Sequence, residues 1–177
     1  MNIVEIDFDP LPVLIPRDRS DGLHVSQIIR DIVYGGEELQ DKSNNYFIVG
    51  LAWELAVELF HANNPDIERP GEFVVDGIIL SPDAFNTRDW TVEEWKCTWR
   101  SSSKWKPEDF QIWWMQVKAY CRALNTDRAI LRALFVNGDW KKSGPAVKAW
   151  SAEFSRMELD ENWEMIINHA RWRGWIR

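Results

Sequence analysis

Two segments with strand-like hydrophobic patterning, residues 73–80 (FVVDGIIL) and 91–99 (TVEEWKCTW), carry acidic side chains where a strand ordinarily keeps apolar ones. No other feature constrains the chain as much. The turn-rich stretch 81–90 between them predicts an antiparallel hairpin, with Asp76 and Glu94 nearly symmetric about its centre near Phe85. Opposed residues in such a pair share a face with Cβ atoms roughly 4.5–5.5 Å apart, so the two carboxylates would repel unless a cation lay between them. A divalent metal ion supplies that charge. Lys96 is two residues beyond Glu94, and strand alternation puts it on the same face.

The length of 177 residues and the 45% hydrophobic content fit one globular domain, 1–177, with a sizeable core. No run approaches the roughly 20 apolar residues of a membrane span, and the first ten residues are acidic where a signal peptide is basic. The expectation is a cytoplasmic protein with no membrane partner. Two cysteines, Cys97 and Cys121, are too few for a disulfide framework, a four-cysteine zinc site or an iron–sulfur cluster. Glycine signatures for phosphates or dinucleotides are also missing, which argues against a nucleotide cofactor.

Net charge is -7, yet residues 1–95 hold 6 basic and 19 acidic side chains (net −13), while residues 96–177 hold 15 basic and 9 acidic (net +6). The halves either neutralise each other in the fold or leave a basic face suited to phosphates. From Lys96 to Arg132 eight cations face three acids, the densest basic stretch. Trp95, Trp99, Trp105, Trp113 and Trp114 cluster there. Indoles at such positions mostly fill a core, but Trp105, flanked by Lys104 and Lys106, is the best placed to stack on an unpaired base.

Along the chain, residues 1–22 carry three prolines without periodicity and read as an extended arm on the surface. Ser26 is a cap for a short helix ended by Gly35-Gly36, and residues 46–62 show the clearest helical spacing. Pro107-Glu108-Asp109 starts a helix that should run to about Leu124. Residues 129–136 and 146–154 are predicted strands around the turn signal Asn137-Gly138, and Asp160 is the expected cap of a last helix ending at Gly174. The resulting order, two helices, two strands, a helix, two strands and a helix, predicts a mixed α/β (α+β) fold with a short central mixed sheet flanked by helices.

An acidic strand residue followed in the next strand by Glu-x-Lys resembles the PD-(D/E)XK nuclease superfamily, here Asp76 with Glu94-Trp95-Lys96. Two further motifs occur in the order of its RecB-like and lambda-exonuclease-like branch. Gln116-x-x-x-Tyr120 follows on the next helix, its members four apart on one face, and Gly50-x-x-x-Glu54 precedes on the long helix, with Glu58 an alternative one turn later. The resemblance covers about residues 26–140 and implies a restriction-endonuclease-like core. One departure is Val75, where the family motif has proline before the aspartate. Pro82-Asp83 spells the literal dipeptide but falls in the predicted turn, and on that ground Asp83 is set aside as a ligand.

What the resemblance implies is a Mg²⁺- or Mn²⁺-dependent deoxyribonuclease, of exonuclease type, of phage or bacterial recombination and DNA processing. Metal ligands would be Asp76, Glu94, the Trp95 carbonyl and Glu54, with Lys96 orienting the attacking water and Gln116 and Tyr120 completing the catalytic set. Substrate would meet Ser26, Lys104, Trp105, Lys106, Gln116 and Tyr120. The partner is DNA, double- or single-stranded, at its ends. Lambda-type members form rings on DNA, so a homo-oligomer or a recombination partner protein is compatible with the resemblance. The alternative is a catalytically silent nucleic-acid- or protein-binding module on the same fold.

Overall fold

The computed structural model describes residues 20–36, 44–141 and 144–177. The arm expected over 1–22 therefore lies, up to residue 19, outside the described residues.

Helix α1 (Val25–Tyr34) buries Val25, Ile28 and Ile29 and ends at Gly35, whose φ of 66° is the left-handed conformation glycine adopts without strain. Its cap is His24, not Ser26. The His24 backbone N–H donates to the Gln27 side chain at 2.9 Å, and Ser26 sits within the first turn. Helix α2 (Asn44–His61) follows.

Five short strands come next: β1 (Ile67–Glu68), β2 (Phe73–Val75), β3 (Ile78–Leu80), β4 (Ala84–Asn86) and β5 (Thr91–Thr98). A 3-10 turn at Pro107–Asp109 leads into α3 (Gln111–Ala123), then β6 (Arg128–Phe135), β7 (Ala146–Glu153) and α4 (Arg156–Trp172). The last helix begins a turn earlier than Asp160 because Ser155 caps it. Its hydroxyl accepts from the Glu158 N–H at 3.3 Å, while the Glu158 carboxylate accepts from the Ser155 N–H at 2.8 Å. Asp160 instead pairs with Arg122 at 3.2 Å and Arg156 at 3.1 Å.

The main sheet is mixed, in the order β1-β4-β5-β6-β7, with β5 and β6 parallel and the other pairs antiparallel. The crossover from β5 to β6 is α3, as a parallel connection requires. One face of the sheet, with Val92 and Ala129, packs against α1, α3 and α4 in the largest hydrophobic cluster, which includes Val117, Tyr120, Leu159 and Trp163. On the other side α2 lies along β5, where Trp53 and Val57 pack on Trp95 and Ala84. A third cluster joins Phe110, Ala133 and Phe135 to Trp105, Trp113, Trp114 and Trp150.

Residues 73–80, expected as one strand, are themselves a hairpin. Asp76 (φ 52°) and Gly77 (φ 80°) form the two-residue turn between β2 and β3, which pair as a separate two-stranded sheet. Two successive positive φ values are the type I′ geometry that Asp-Gly favours. That local preference overrides the continuous apolar pattern.

Candidate functional site

The turn at Asp76 removes it from the site the sequence had placed it in. Its carboxylate accepts from the Trp163 indole N–H at 2.9 Å, anchoring the β2–β3 turn to α4. Asp83 stands where Asp76 was expected. The β4–β5 ladder ends where Ala84 pairs with Glu93, and Asp83 lies just beyond it, close enough for its charge to act on Glu94. Two acidic side chains brought close together is what was first expected of Asp76 and Glu94.

Pro82 follows just past the end of the ladder. It has no N–H to offer Trp95. The Trp95 N–H turns to the Asp83 carboxylate at 2.7 Å, and the Trp95 carbonyl, on the same side of the strand, receives no return bond from Pro82. Asp83 Oδ2 and that carbonyl are thus brought to the end of a strand pair. Turn chemistry and a ligand position coincide in one dipeptide.

Alternation along β5 then separates two sets of side chains. Glu94 and Lys96 point toward α3. Glu94 is 1% exposed, its Oε1 contacts the Lys96 ammonium, and its buried Oε2 has no hydrogen-bond partner. Burial pushes its carboxyl up to about 8, helped by the charges of Asp83 and Glu54 and opposed by Lys96. For Lys96, burial works to lower the pKa, but Glu94, Asp83 and Glu54 outweigh it and the net shift is upward. The lysine stays charged and about a fifth of its side chain reaches solvent.

Helix α3 supplies the next link. The Lys96 ammonium donates to Gln116 Oε1 at 3.2 Å, and Gln116 Nε2 donates to the Tyr120 hydroxyl at 2.6 Å. Burial and the Glu94 charge hold Tyr120 well above the ordinary phenol range, with Ser81 a second hydrogen-bond partner. Four of the expected residues, Glu94, Lys96, Gln116 and Tyr120, thus form one connected chain of polar contacts. Glu54, on α2, lies close enough for its charge to act on both Glu94 and Lys96. Glu58 is turned away to Arg69.

Glu93 and Trp95 occupy the opposite face. Glu93, 2% exposed, accepts from Arg132 Nε at 2.9 Å and Nη2 at 3.3 Å, with His61 Nε2 at 3.8 Å and the Trp95 indole N–H at 3.4 Å. The His61 ring stacks on Trp95, centroids 5.8 Å apart and planes 15° from parallel. Consecutive glutamates therefore anchor opposite faces of one strand. Sequence reasoning left this network out, although the Glu93-Glu94 doublet was its visible sign.

The expected substrate positions are more scattered. Lys104 and Lys106 are exposed, but the Arg100 guanidinium lies 3.6 Å from the Trp105 ring centroid and covers one face of the indole. Trp113 stacks on Phe110 at 4.1 Å and Trp114 donates to the Pro107 carbonyl at 2.8 Å, so both serve the core. A cleft of about 520 Å³ lined by Trp90, Asn125 and Arg156 includes none of the site's carboxylates.

A metal fits this site in one respect in particular. The buried Glu94 Oε2 lacks any partner and a second carboxylate, Asp83, is near enough for its charge to act on Glu94, a pairing of hard oxygen donors that a divalent cation would satisfy. Among the described residues no three His, Cys, Asp or Glu side chains form a ready-made cage. The donor set is two carboxylates and a main-chain carbonyl, with Glu54 nearby.

No protein-family model matches the chain, and no curated protein matches its sequence. Solved structures share its fold, two of them as follows. A phage-related exonuclease from Haemophilus somnus 129PT superposes at a TM-score of 0.55 with 13% identity, over 82% of this chain and 77% of that one. The crystal structure of SSO0001 does so at 0.51 and 17%, over 87% and 79%. Identities this low carry the fold alone. Among the described residues no helix is long and apolar enough to cross a membrane.

Proposed function

We propose that the chain is a Mg²⁺- or Mn²⁺-dependent deoxyribonuclease, of exonuclease type, that hydrolyses DNA phosphodiesters in phage or bacterial recombination or DNA processing. The observation that carries the reading is the unpartnered, buried Glu94 Oε2 within reach of the Asp83 charge, beside a lysine tied to Gln116. The nuclease-like fold supports it.

Asp83, Glu94 and the Trp95 carbonyl would hold the cation, with Glu54 contributing from α2. A bound divalent ion there would neutralise phosphate charge, sharpen the acidity of a water and stabilise the leaving oxygen. Lys96 orients the attacking water and offsets negative charge that grows on the phosphate. Gln116 holds the lysine ammonium in place, and Tyr120, kept protonated by burial, fixes Gln116. Trp95 N–H locks the Asp83 carboxylate, and the Glu93–Arg132 pair braces the strand from behind.

The deciding experiment compares wild type, Asp83→Ala, Asp76→Ala and Lys96→Ala on linear double-stranded, linear single-stranded and circular DNA with Mg²⁺ or Mn²⁺. Asp83→Ala and Lys96→Ala should abolish cleavage, while Asp76→Ala keeps it and loses only stability. Cleavage confined to linear DNA marks an exonuclease. An inactive wild type, or an active Asp83→Ala, defeats the reading.

A further inference from the structure

Where α4 ends, the stretch 169–177 (HARWRGWIR) brings three arginines and two tryptophans together with no acid among them. Trp172 is 75% exposed and Trp175 41% exposed. Trp90 and Trp140 are exposed as well, at 52% and 65%, but Trp172 and Trp175 are the exposed pair that shares one guanidinium, that of Arg173.

These rings are held in place. The Gly174 N–H donates to the Arg171 carbonyl and the Trp175 N–H to the Ala170 carbonyl, both at 2.9 Å, the paired bonds of a Schellman motif, and Gly174 takes the required left-handed φ of 72°. Ile176 then packs against the core, so the backbone beyond the helix is pinned on both sides of Trp175. Arg173 lies between the indoles, its guanidinium 5.6 Å from the Trp172 centroid and 5.3 Å from Trp175. Asp31 on α1 fixes that guanidinium at 2.8 Å and the His169 ring at 2.6 Å, and His169 in turn meets Trp172 at 5.4 Å and Trp175 at 6.1 Å. One carboxylate thereby orders both indoles.

Arg173 is neutralised by Asp31. Arg171 and Arg177 are exposed and form no ion pair among the described residues. Two unpaired cations beside two pre-ordered, solvent-facing indoles combine phosphate attraction with flat stacking surfaces. A duplex hides its base faces and would leave the indoles idle. A second copy of the same patch would set arginines against arginines.

We infer that residues 169–177 are a contact surface for single-stranded nucleic acid, with Trp172 and Trp175 stacking on unpaired bases and Arg171 and Arg177 meeting the backbone. The surface shares no residue with the site at Glu94, and the inference goes beyond the proposed cleavage chemistry.

Binding of fluorescein-labelled oligo(dT) of about 16 nucleotides to the full chain is measured by anisotropy in EDTA, where no cleavage occurs. Trp172→Ala with Trp175→Ala should weaken binding at least about tenfold, Trp172→Phe should retain most of it, and Arg171→Glu should flatten the salt dependence. A matched duplex should respond far less to the Trp changes. The inference is overturned if the double variant binds oligo(dT) like wild type, or if poly-glutamate binds as tightly as oligo(dT) and is lost with the same changes, which would make an acidic polypeptide the occupant. Parallel cleavage assays with Mn²⁺ keep the readings separate: an inactive wild type that still binds oligo(dT) through these tryptophans defeats only the nuclease proposal.

Discussion

Raising the pH should loosen the metal-free protein, and Glu94 is the group responsible. Its carboxyl has an ordinary value of 4.5, and burial pushes it up to about 8. The folded chain then holds that proton more tightly than the unfolded chain. The destabilisation is therefore absent below pH 4.5, grows as pH rises toward 8, and levels off above it. Lys96 is shifted upward from 10.5, so its stabilising contribution is intact throughout this window and does not cancel the trend. At 1.36 kcal/mol per unit, the full effect is about 5 kcal/mol, of which about 2 kcal/mol falls between pH 6 and 8. That is large against a total stability of roughly 5–15 kcal/mol. Urea unfolding at pH 6, 7 and 8 in EDTA, for wild type and Glu94→Gln, measures it directly. Wild type should lose about 2 kcal/mol more than the variant across that range, and Glu94→Gln should be the more stable protein at pH 8. Mn²⁺ at about a hundred times its Kd should return about 2.7 kcal/mol to wild type and nothing comparable to the variant. Parallel pH curves for the two proteins would refute the reasoning, because the unpartnered buried carboxylate would then have no energetic consequence.

Two further outcomes follow from the same contacts. Gln116→Ala removes one of the two contacts that hold the lysine ammonium and leaves the one to Glu94, so kcat should fall about tenfold, against the loss of cleavage for Lys96→Ala, with KM for DNA little changed in single-turnover and steady-state assays. On the other face of β5, Arg132→Met leaves Glu93 buried without its main partner. Because Arg132 is itself 30% exposed, the loss should be about 2–3 kcal/mol, below the range of a fully buried pair, and a thermal melt with Tm lowered by several degrees would register it.

Much of the fold can be read from local pattern. The helices over 25–34 and 44–61, the crossover helix and the strands β6 and β7 follow the spacing of apolar side chains and the punctuation of Gly35, Asn137-Gly138 and Gly174. The helix at 156–172 starts one turn early because Ser155 with Glu158 makes a better cap than Asp160, a capping box visible in the sequence. The misreading of 73–80 has a single cause. An apolar run around Asp-Gly satisfies both a continuous strand and a tight hairpin, and the turn prevails because Asp76 and Gly77 accept positive φ at little expense.

The amino-acid sequence by itself determined that Glu94 and Lys96 share a strand face, since alternation is local, and that Gln116 and Tyr120 share a helix face, since four residues are about one turn. It could not determine which aspartate completes the set. That choice belongs to register, and register depends on where one strand pair stops and the next begins. Only the tertiary structure shows the β4–β5 ladder ending at Ala84, the Asp83 carboxylate taken by the Trp95 N–H close to Glu94, and Asp76 drawn away by the Trp163 indole of a helix 87 residues further along. The same holds for the Glu93–Arg132 brace and the Asp31 anchor beneath Trp172 and Trp175, because each joins residues far apart in the chain through contacts that no local pattern encodes.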